Sequence, residues 1–208
     1  MVQLQTDNIG KRFGKRILFR SMTVSFDGGV ATAVTGINGS GKSTLIRILA
    51  GVMRPGKGSV SLFVDGKVIS NENHPFHMGL VAPYLNLYDD FSPAENLQFL
   101  ASARGMPDAA EKIDEIMDRV GLRSRQNDFL STYSSGMKQR IRLATALFSD
   151  PDVLLLDEPG SNLDEAGLEL VSGIISEAVE RGKVVIVATN DEREASLCSE
   201  RVCVTDYL

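Results

Sequence analysis

The chain has 208 residues, 43% of them hydrophobic and 24% charged, with a formal charge of −5. That is enough apolar material for one globular domain with a full core, and it excludes a disordered, core-poor chain and a disulfide-rich secreted module. The mild acidity gives no electrostatic case for a nucleic-acid partner, and no run nears the roughly 18 apolar residues that cross a bilayer.

The first residues, Met1 to Asp7, have neither a basic nor an apolar leader region, so a cytoplasmic location is expected. Over residues 1–35, short apolar runs at Ile17 to Phe19 and Met22 to Phe26, then Asp27-Gly28-Gly29, predict strands joined by hairpins. Lys11, Arg12, Lys15, Arg16 and Arg20 make this stretch basic, which suits a solvated hairpin or a positive rim around a phosphate site better than an RNA patch. Val30 to Val34 predicts a strand running into a glycine cluster. Beyond it, Leu45, Ile46, Ile48 and Leu49 form the apolar face of a short helix stopped at Gly51. Residues 52–75 read as turns around a strand at Val60 to Val64, and His74 and His77, separated by a proline, as a polar turn rather than a metal site.

From Asn96 to about Val120 the pattern is helical, with Ile113, Ile116, Met117 and Val120 on one face. A further helix follows Ser134-Ser135-Gly136 and ends at Pro151. The unbroken apolar run Val153 to Leu156 predicts a strand buried on both faces of a mainly parallel sheet. A helix from about Glu165 to Arg181 stops at Gly182, Val184 to Thr189 is a second buried strand, and Val202 to Thr205 an edge strand. Cys198 and Cys203 read as reduced thiols. The expected fold is an α/β P-loop core around a mainly parallel sheet. It carries an N-terminal antiparallel β-subdomain and an inserted helical subdomain, with the core at about 1–83 and 151–208 and the insertion at about 84–150.

Gly36-Ile37-Asn38-Gly39-Ser40-Gly41-Lys42-Ser43-Thr44 satisfies G-x-x-x-x-G-K-[ST] and falls between a strand and a helix. Its backbone N–H groups are expected to curl around phosphate oxygens, with Lys42 reaching the β- and γ-phosphates and the Ser43 hydroxyl ligating Mg²⁺. Asp157, closing the run Val153 to Leu156, is placed as the second Mg²⁺ anchor, and Glu158 as the group that orients or deprotonates the attacking water. Asp157 to Gly160 also fits the D-x-x-G of GTPases. The guanine-reading Asn-Lys-x-Asp is absent, however, since Asn190-Asp191 lacks the lysine.

Tyr133-Ser134-Ser135-Gly136-Met137-Lys138-Gln139-Arg140 resembles the LSGGQ signature of ATP-binding cassette (ABC) ATPases, and Ser161-Asn162-Leu163-Asp164 their D-loop. With the two Walker motifs, the resemblance covers nearly the whole chain. It implies a head-to-tail homodimer, or a heterodimer with a second cassette, that sandwiches two ATP molecules. Ser134 and Gly136 would face the γ-phosphate across the interface, and Asp164 would link the two sites. Phe13 lies where the family places an aromatic on adenine; a plain hairpin hydrophobe is the alternative. Two positions depart from the family pattern: the Q-loop glutamine is Pro83, and the switch histidine is Asn190. Proline offers no amide, and asparagine takes up no proton near neutral pH, so either change can slow turnover. The resemblance implies the ATPase subunit of a transporter on the cytoplasmic face of the membrane, driving a transmembrane permease on a separate chain. Tyr84, Leu85, Leu87, Tyr88 and Phe91 either line a groove for that permease or pack the helical subdomain. The competing readings are a soluble ABC ATPase acting on DNA or ribosomes, disfavoured by one cassette and no heptad run, and a non-hydrolysing ATP-dependent clamp.

Overall fold

In the computed structural model, which describes residues 1–106 and 108–208, two long strands open the chain. β1 (Val2–Phe13) and β2 (Arg16–Asp27) pair antiparallel. The sequence pattern splits β2 at Arg20-Ser21, where the apolar alternation fails. The strand nevertheless continues, because Ile9 faces Met22 and Lys11 faces Phe19, leaving Arg20 and Ser21 opposite the single residue Gly10, with Ser21 at φ 54°. This is a bulge, invisible to an alternation count. β4 (Lys57–Val64) pairs with the other edge of β1, and β5 (Lys67–Ile69) extends the sheet in the order β2-β1-β4-β5.

The second sheet is parallel throughout, in the order β6-β7-β8-β3-β9, from β3 (Val30–Thr35), β6 (Met78–Val81), β7 (Val153–Asp157), β8 (Val184–Ala188) and β9 (Glu200–Cys203). Every residue of β7 and β8 is buried. Val153 and Leu155 join a core shared with the antiparallel sheet and with α1 (Lys42–Leu49), whereas Leu154 and Leu156 face α5 (Ser135–Leu147) and α6 (Glu165–Glu180) on the other side. Cover on both faces is why these strands are continuously apolar. β9 is the edge strand and begins at Glu200, earlier than its hydropathy indicates, because Glu200 and Arg201 pair through their backbones with Thr32 and Ala33.

The helical pattern over 96–120 resolves into two helices, α3 (Pro93–Ala103) and α4 (Ala110–Arg119). Ser92 caps the first in a capping box with Glu95, and Gly105, at φ 69°, ends it while the Met106 N–H donates back to Ala101 O. Leu97, Ile113, Met117, Leu130, Ile141 and Phe148 make a separate core within this helical group. Residues 74–77 form α2 (His74–His77), one helical turn rather than a bare polar turn. His74 is buried against Ile69 O at 3.1 Å, and His77 Nδ1 meets Asp152 Oδ2 at 2.6 Å. Arg104, at the end of α3, donates to Phe76 O and Pro75 O and so ties the helical group to α2. A last short helix, α7 (Glu192–Ala195), follows β8. Cys198 and Cys203 are free thiols. No helix among the described residues is long and apolar enough to cross a membrane.

Candidate functional site

Register places the site. Val34 and Asp157 both pair with Ala188, and Val81 pairs with Leu156, so β3, β6, β7 and β8 end at one level. The segments that follow, which carry Gly36, Pro83, Glu158 and Asn190, therefore leave the sheet along a single carboxyl edge, where open α/β sheets bind ligands.

The loop 36–41 needs its glycines. Gly36, Gly39 and Gly41 have φ of 143°, 78° and 112°, and a Cβ on Gly41 would press the Leu18 side chain at 3.2 Å. Gly41 gives α1 no side-chain cap and the first turn has no acidic residue, which leaves the helix's first N–H groups available to an anion. Lys42 Nζ, drawn inward, donates to Gly36 O at 2.8 Å and to Asn190 Oδ1 at 2.6 Å. Burial lowers its pKa, against the charges of Glu158 and Asp157. The other end of the Asn190 amide donates to Asn38 Oδ1. Arg16 Nη2 donates to Gly39 O at 2.6 Å, so the basic hairpin supplies part of the rim of this loop. Phe13, paired with Arg16 across the hairpin, is half exposed, with Lys11 Nζ 5.5 Å from its ring centroid.

Ser43 Oγ donates to Asp157 Oδ1 at 3.1 Å, and Asp157 is buried with Oδ2 unpartnered. Burial pushes its carboxyl pKa up and the neighbouring Glu158 adds to this, against the Ser43 bond. A buried carboxylate with a free oxygen beside a hydroxyl suits a hard cation. Ser43 and Asp157 supply only two oxygens, so such an ion takes its remaining ligands from phosphate and water. Glu158 takes φ 52° while its N–H donates to Ala188 O, turning the chain sharply as it leaves β7. A non-glycine residue held there marks a segment whose geometry the surroundings enforce.

Ser134 caps α5, its Oγ accepting from the Met137 N–H at 3.2 Å. Gly136 is tight against the 161–164 turn: a Cβ there would lie 2.7 Å from Asn162 O. Asp164 caps α6 by accepting from the Gly167 N–H and pairs with Arg140 at 3.0 Å, and both contacts lower its carboxyl pKa. Gln139 Nε2 donates to Pro159 O at 2.9 Å, and Arg142 Nε to Leu85 O at 3.1 Å. Thus α5 is fastened to the 158–160 turn, to the loop after β6 and to the 161–164 turn. Among the described residues, no hydrogen bond joins Ser134 to Gly136 with the loop 36–44. Arg142 and the buried Glu194, whose Oε1 accepts from the Gly160 N–H at 2.7 Å, are parts of this scaffold that the motifs do not announce, whereas Gln139 falls within the signature-like stretch. Neither Arg142 nor Glu194 leaves a spacing pattern in the sequence, Glu194 lying on a helix of a single turn.

The aromatic stretch after β6 divides. The Arg47 guanidinium lies 3.8 Å from the Tyr84 ring centroid, and Leu87 packs against the helical core. Tyr88 and Phe91 are 55% and 49% exposed and meet edge to face at 5.9 Å; Phe99, on α3, is 61% exposed and joins Tyr88 at 5.6 Å.

Residues 19–161 match the family described as ABC transporter. The chain is 35% identical over 205 residues to the uncharacterized ABC transporter ATP-binding protein YhcH of Bacillus subtilis, spanning 97% of this chain but 66% of that protein. It is 31% identical to the cytochrome c biogenesis ATP-binding export protein CcmA of Haemophilus influenzae, covering 93% of this chain and 92% of that one. Among solved structures, the ATP binding subunit of an ABC transporter superposes with a TM-score of 0.85 at 24% identity, over 96% of this chain and 85% of the other. The dimeric cassette MJ0796 bound to ADP and Pi gives 0.84 at 22%, over 96% and 93%. The strand-edge phosphate loop, the Ser43 and Asp157 oxygens beside it and the family match agree: the chain belongs to the ABC transporter family, as one of its ATP-binding cassettes.

Proposed function

We propose that the chain hydrolyses ATP as a dimer and drives a separate membrane permease from the cytoplasmic face. The observation that carries the reading is the contact between Ser43 and Asp157, which brings a hydroxyl and a carboxylate with a free oxygen to the mouth of the loop 36–44. Ser43 and Asp157 would hold Mg²⁺, which when bound neutralises charge on the phosphates. The loop N–H groups and Lys42 hold the phosphates. On nucleotide entry Lys42 exchanges Asn190 for phosphate oxygens. Glu158 orients the attacking water and takes its proton. Asn190 then has an amide to offer the γ-phosphate but no proton to exchange, and Pro83 has neither amide nor N–H, so turnover is slow rather than absent.

Among the described residues, Ser134 and Gly136 make no hydrogen bond to the loop 36–44 of their own chain, which fits a role toward a second copy's nucleotide. Asp164, engaged with Arg140 and Gly167, would link the two sites, and Phe13 would stack on adenine. The Tyr88, Phe91 and Phe99 patch, rimmed by Asp89 and Asp90, would receive the permease. Steady-state phosphate release tests the hydrolytic reading. Wild type should exceed Glu158→Gln by about a hundredfold, as expected for loss of a general base, and equal rates would leave only an ATP-dependent clamp.

A further inference from the structure

Two polar side chains more than nine-tenths buried, Gln139 on α5 and Glu194 on α7, reach the same peptide group from different helices. Gln139 Nε2 donates to Pro159 O at 2.9 Å, and Glu194 Oε1 accepts from the Gly160 N–H at 2.7 Å. That carbonyl and that N–H belong to one planar unit, so both of its polar ends are held. Glycine at 160 is a matter of room rather than of backbone conformation. Its φ lies outside the left-handed range, and a Cβ there would collide with Glu194 Oε1 and lie 2.7 Å from Leu168 Cδ2. The Pro159 ring locks its own φ, so the clamped unit is joined to Glu158 through a single free torsion. Glu158 itself holds φ 52° ahead of a proline, a conformation that its surroundings must enforce. The Glu158 N–H donates to Ala188 O and fastens the entry of the turn to the sheet, and the Ser161 N–H donates to Glu158 O at 3.2 Å and closes it. The clamp on Pro159 and Gly160 fastens its exit.

We propose that Glu194, acting with Gln139 through the peptide between Pro159 and Gly160, is a positioning residue that fixes the direction in which Glu158 presents its carboxylate to the attacking water. Gln139 lies on the helix that Ser134 caps and Glu194 on the helix that follows Asn190, so the base is set relative to both. The proposal rests on the reading of Glu158 as the general base.

The test is single-turnover phosphate release with the protein in excess over Mg·ATP, read as the rate constant at saturation and the protein concentration that gives half of it. Glu194→Ala should lower the rate constant about tenfold, the effect of one lost hydrogen bond to a charged group, and leave half-saturation within about twofold. Glu194→Gln keeps an acceptor oxygen and should recover most of the rate. The deciding measurement repeats Glu194→Ala in a Glu158→Gln background. A residue that acts through Glu158 has no base left to position there, so the further loss should stay below about twofold. Gly160→Ala displaces the Glu194 carboxylate from the other side and should give the same pattern; it carries the test if Glu194→Ala does not fold. A loss of the same size in both backgrounds, or a shift in half-saturation at an unchanged rate constant, reduces the contact to a structural one and overturns the proposal. A wild type no faster than Glu158→Gln overturns the general-base reading and the proposal with it, whereas a faster wild type matched by Glu194→Ala overturns the role of Glu194 alone.

Discussion

Replacing Asn190 by alanine removes the amide that bridges Lys42 and Asn38. The Lys42 ammonium then keeps Gly36 O at 2.8 Å and only a stretched contact of 3.5 Å to Ile37 O, although Lys42 is buried. A hydrogen bond to a charged group contributes about 1.5–3 kcal/mol, and the exposure of Asn190 argues for the lower part of that range or somewhat less, about 1 kcal/mol. For a chain of this length that is a fall of about 2–4 °C in the melting temperature of the nucleotide-free protein. The same bond must be surrendered when phosphate oxygens reach Lys42. Asn190→Ala should therefore bind Mg·ADP up to about fivefold more tightly, since 1 kcal/mol in the free state returns as affinity. Asn190→Asp should do the reverse, because a carboxylate holds the ammonium more firmly. Differential scanning calorimetry and isothermal titration with ADP measure both quantities. A melting temperature and an ADP affinity that both stay at wild-type values would refute the idea that Asn190 restrains Lys42.

Further consequences follow from contacts elsewhere. Burial works against ionisation of Asp150, but its bonds to Lys183 and Arg181 outweigh this and hold its carboxyl below the usual range. The contribution of that ion pair is therefore present above about pH 4 and lost as pH falls through the lowered pKa. Asp150→Asn, which tolerates the φ of 51° there, should cost under about 1 kcal/mol in urea melts at pH 7, because Asp150 and Arg181 are half exposed, and nothing near pH 2; a cost independent of pH would count against the ion pair. A Cβ on Gly79 would lie 2.3 Å from Ala146 O and 2.7 Å from Pro151 Cγ, so Gly79→Ala should destabilise by about 1–3 kcal/mol. Gly173, within α6 with nothing near its Cβ position, should gain up to about 1 kcal/mol as alanine, and melts in which the two variants move together would contradict the packing described. Burial pushes the Cys198 thiol up to about 11, so iodoacetamide at pH 8 should alkylate Cys203 before Cys198; peptide mapping that finds Cys198 first would overturn that assignment.

Where a structural feature depends on a few adjacent residues, the sequence made it readable. The strand, glycine loop and helix over 30–49 are of this kind, since each glycine serves a local backbone conformation. So are β7 and β8, whose unbroken apolar runs follow from cover on both faces. What escaped was set by distant partners. The Arg20-Ser21 bulge depends on the register with β1, and the early start of β9 on backbone pairing with β3. In the site, Lys42, Ser43 and Asp157 are legible from motif spacing. Arg142 and Glu194 are not, because each acts by holding a backbone carbonyl or N–H of another segment, a contact that leaves no fixed spacing in sequence.

The shared level at which β3, β6, β7 and β8 end has a consequence for how this protein tolerates change. The places at which the chain leaves the sheet toward Gly36, Pro83, Glu158 and Asn190 are set by the backbone pairing of the strands, which no side chain makes. Gly36 excepted, whose φ of 143° requires glycine, side-chain identity at the edge is thereby separated from strand register, although Asn190 adds its own bond to Lys42. A substitution there, such as proline at 83 or asparagine at 190, alters chemistry while the mounting stays where it was. An inserted or deleted residue within β7 or β8 does the opposite: it leaves every functional side chain present but moves one of them by a strand step of about 3.3 Å relative to the others. Apart from its glycine, the edge is thus permissive to exchange and intolerant of length.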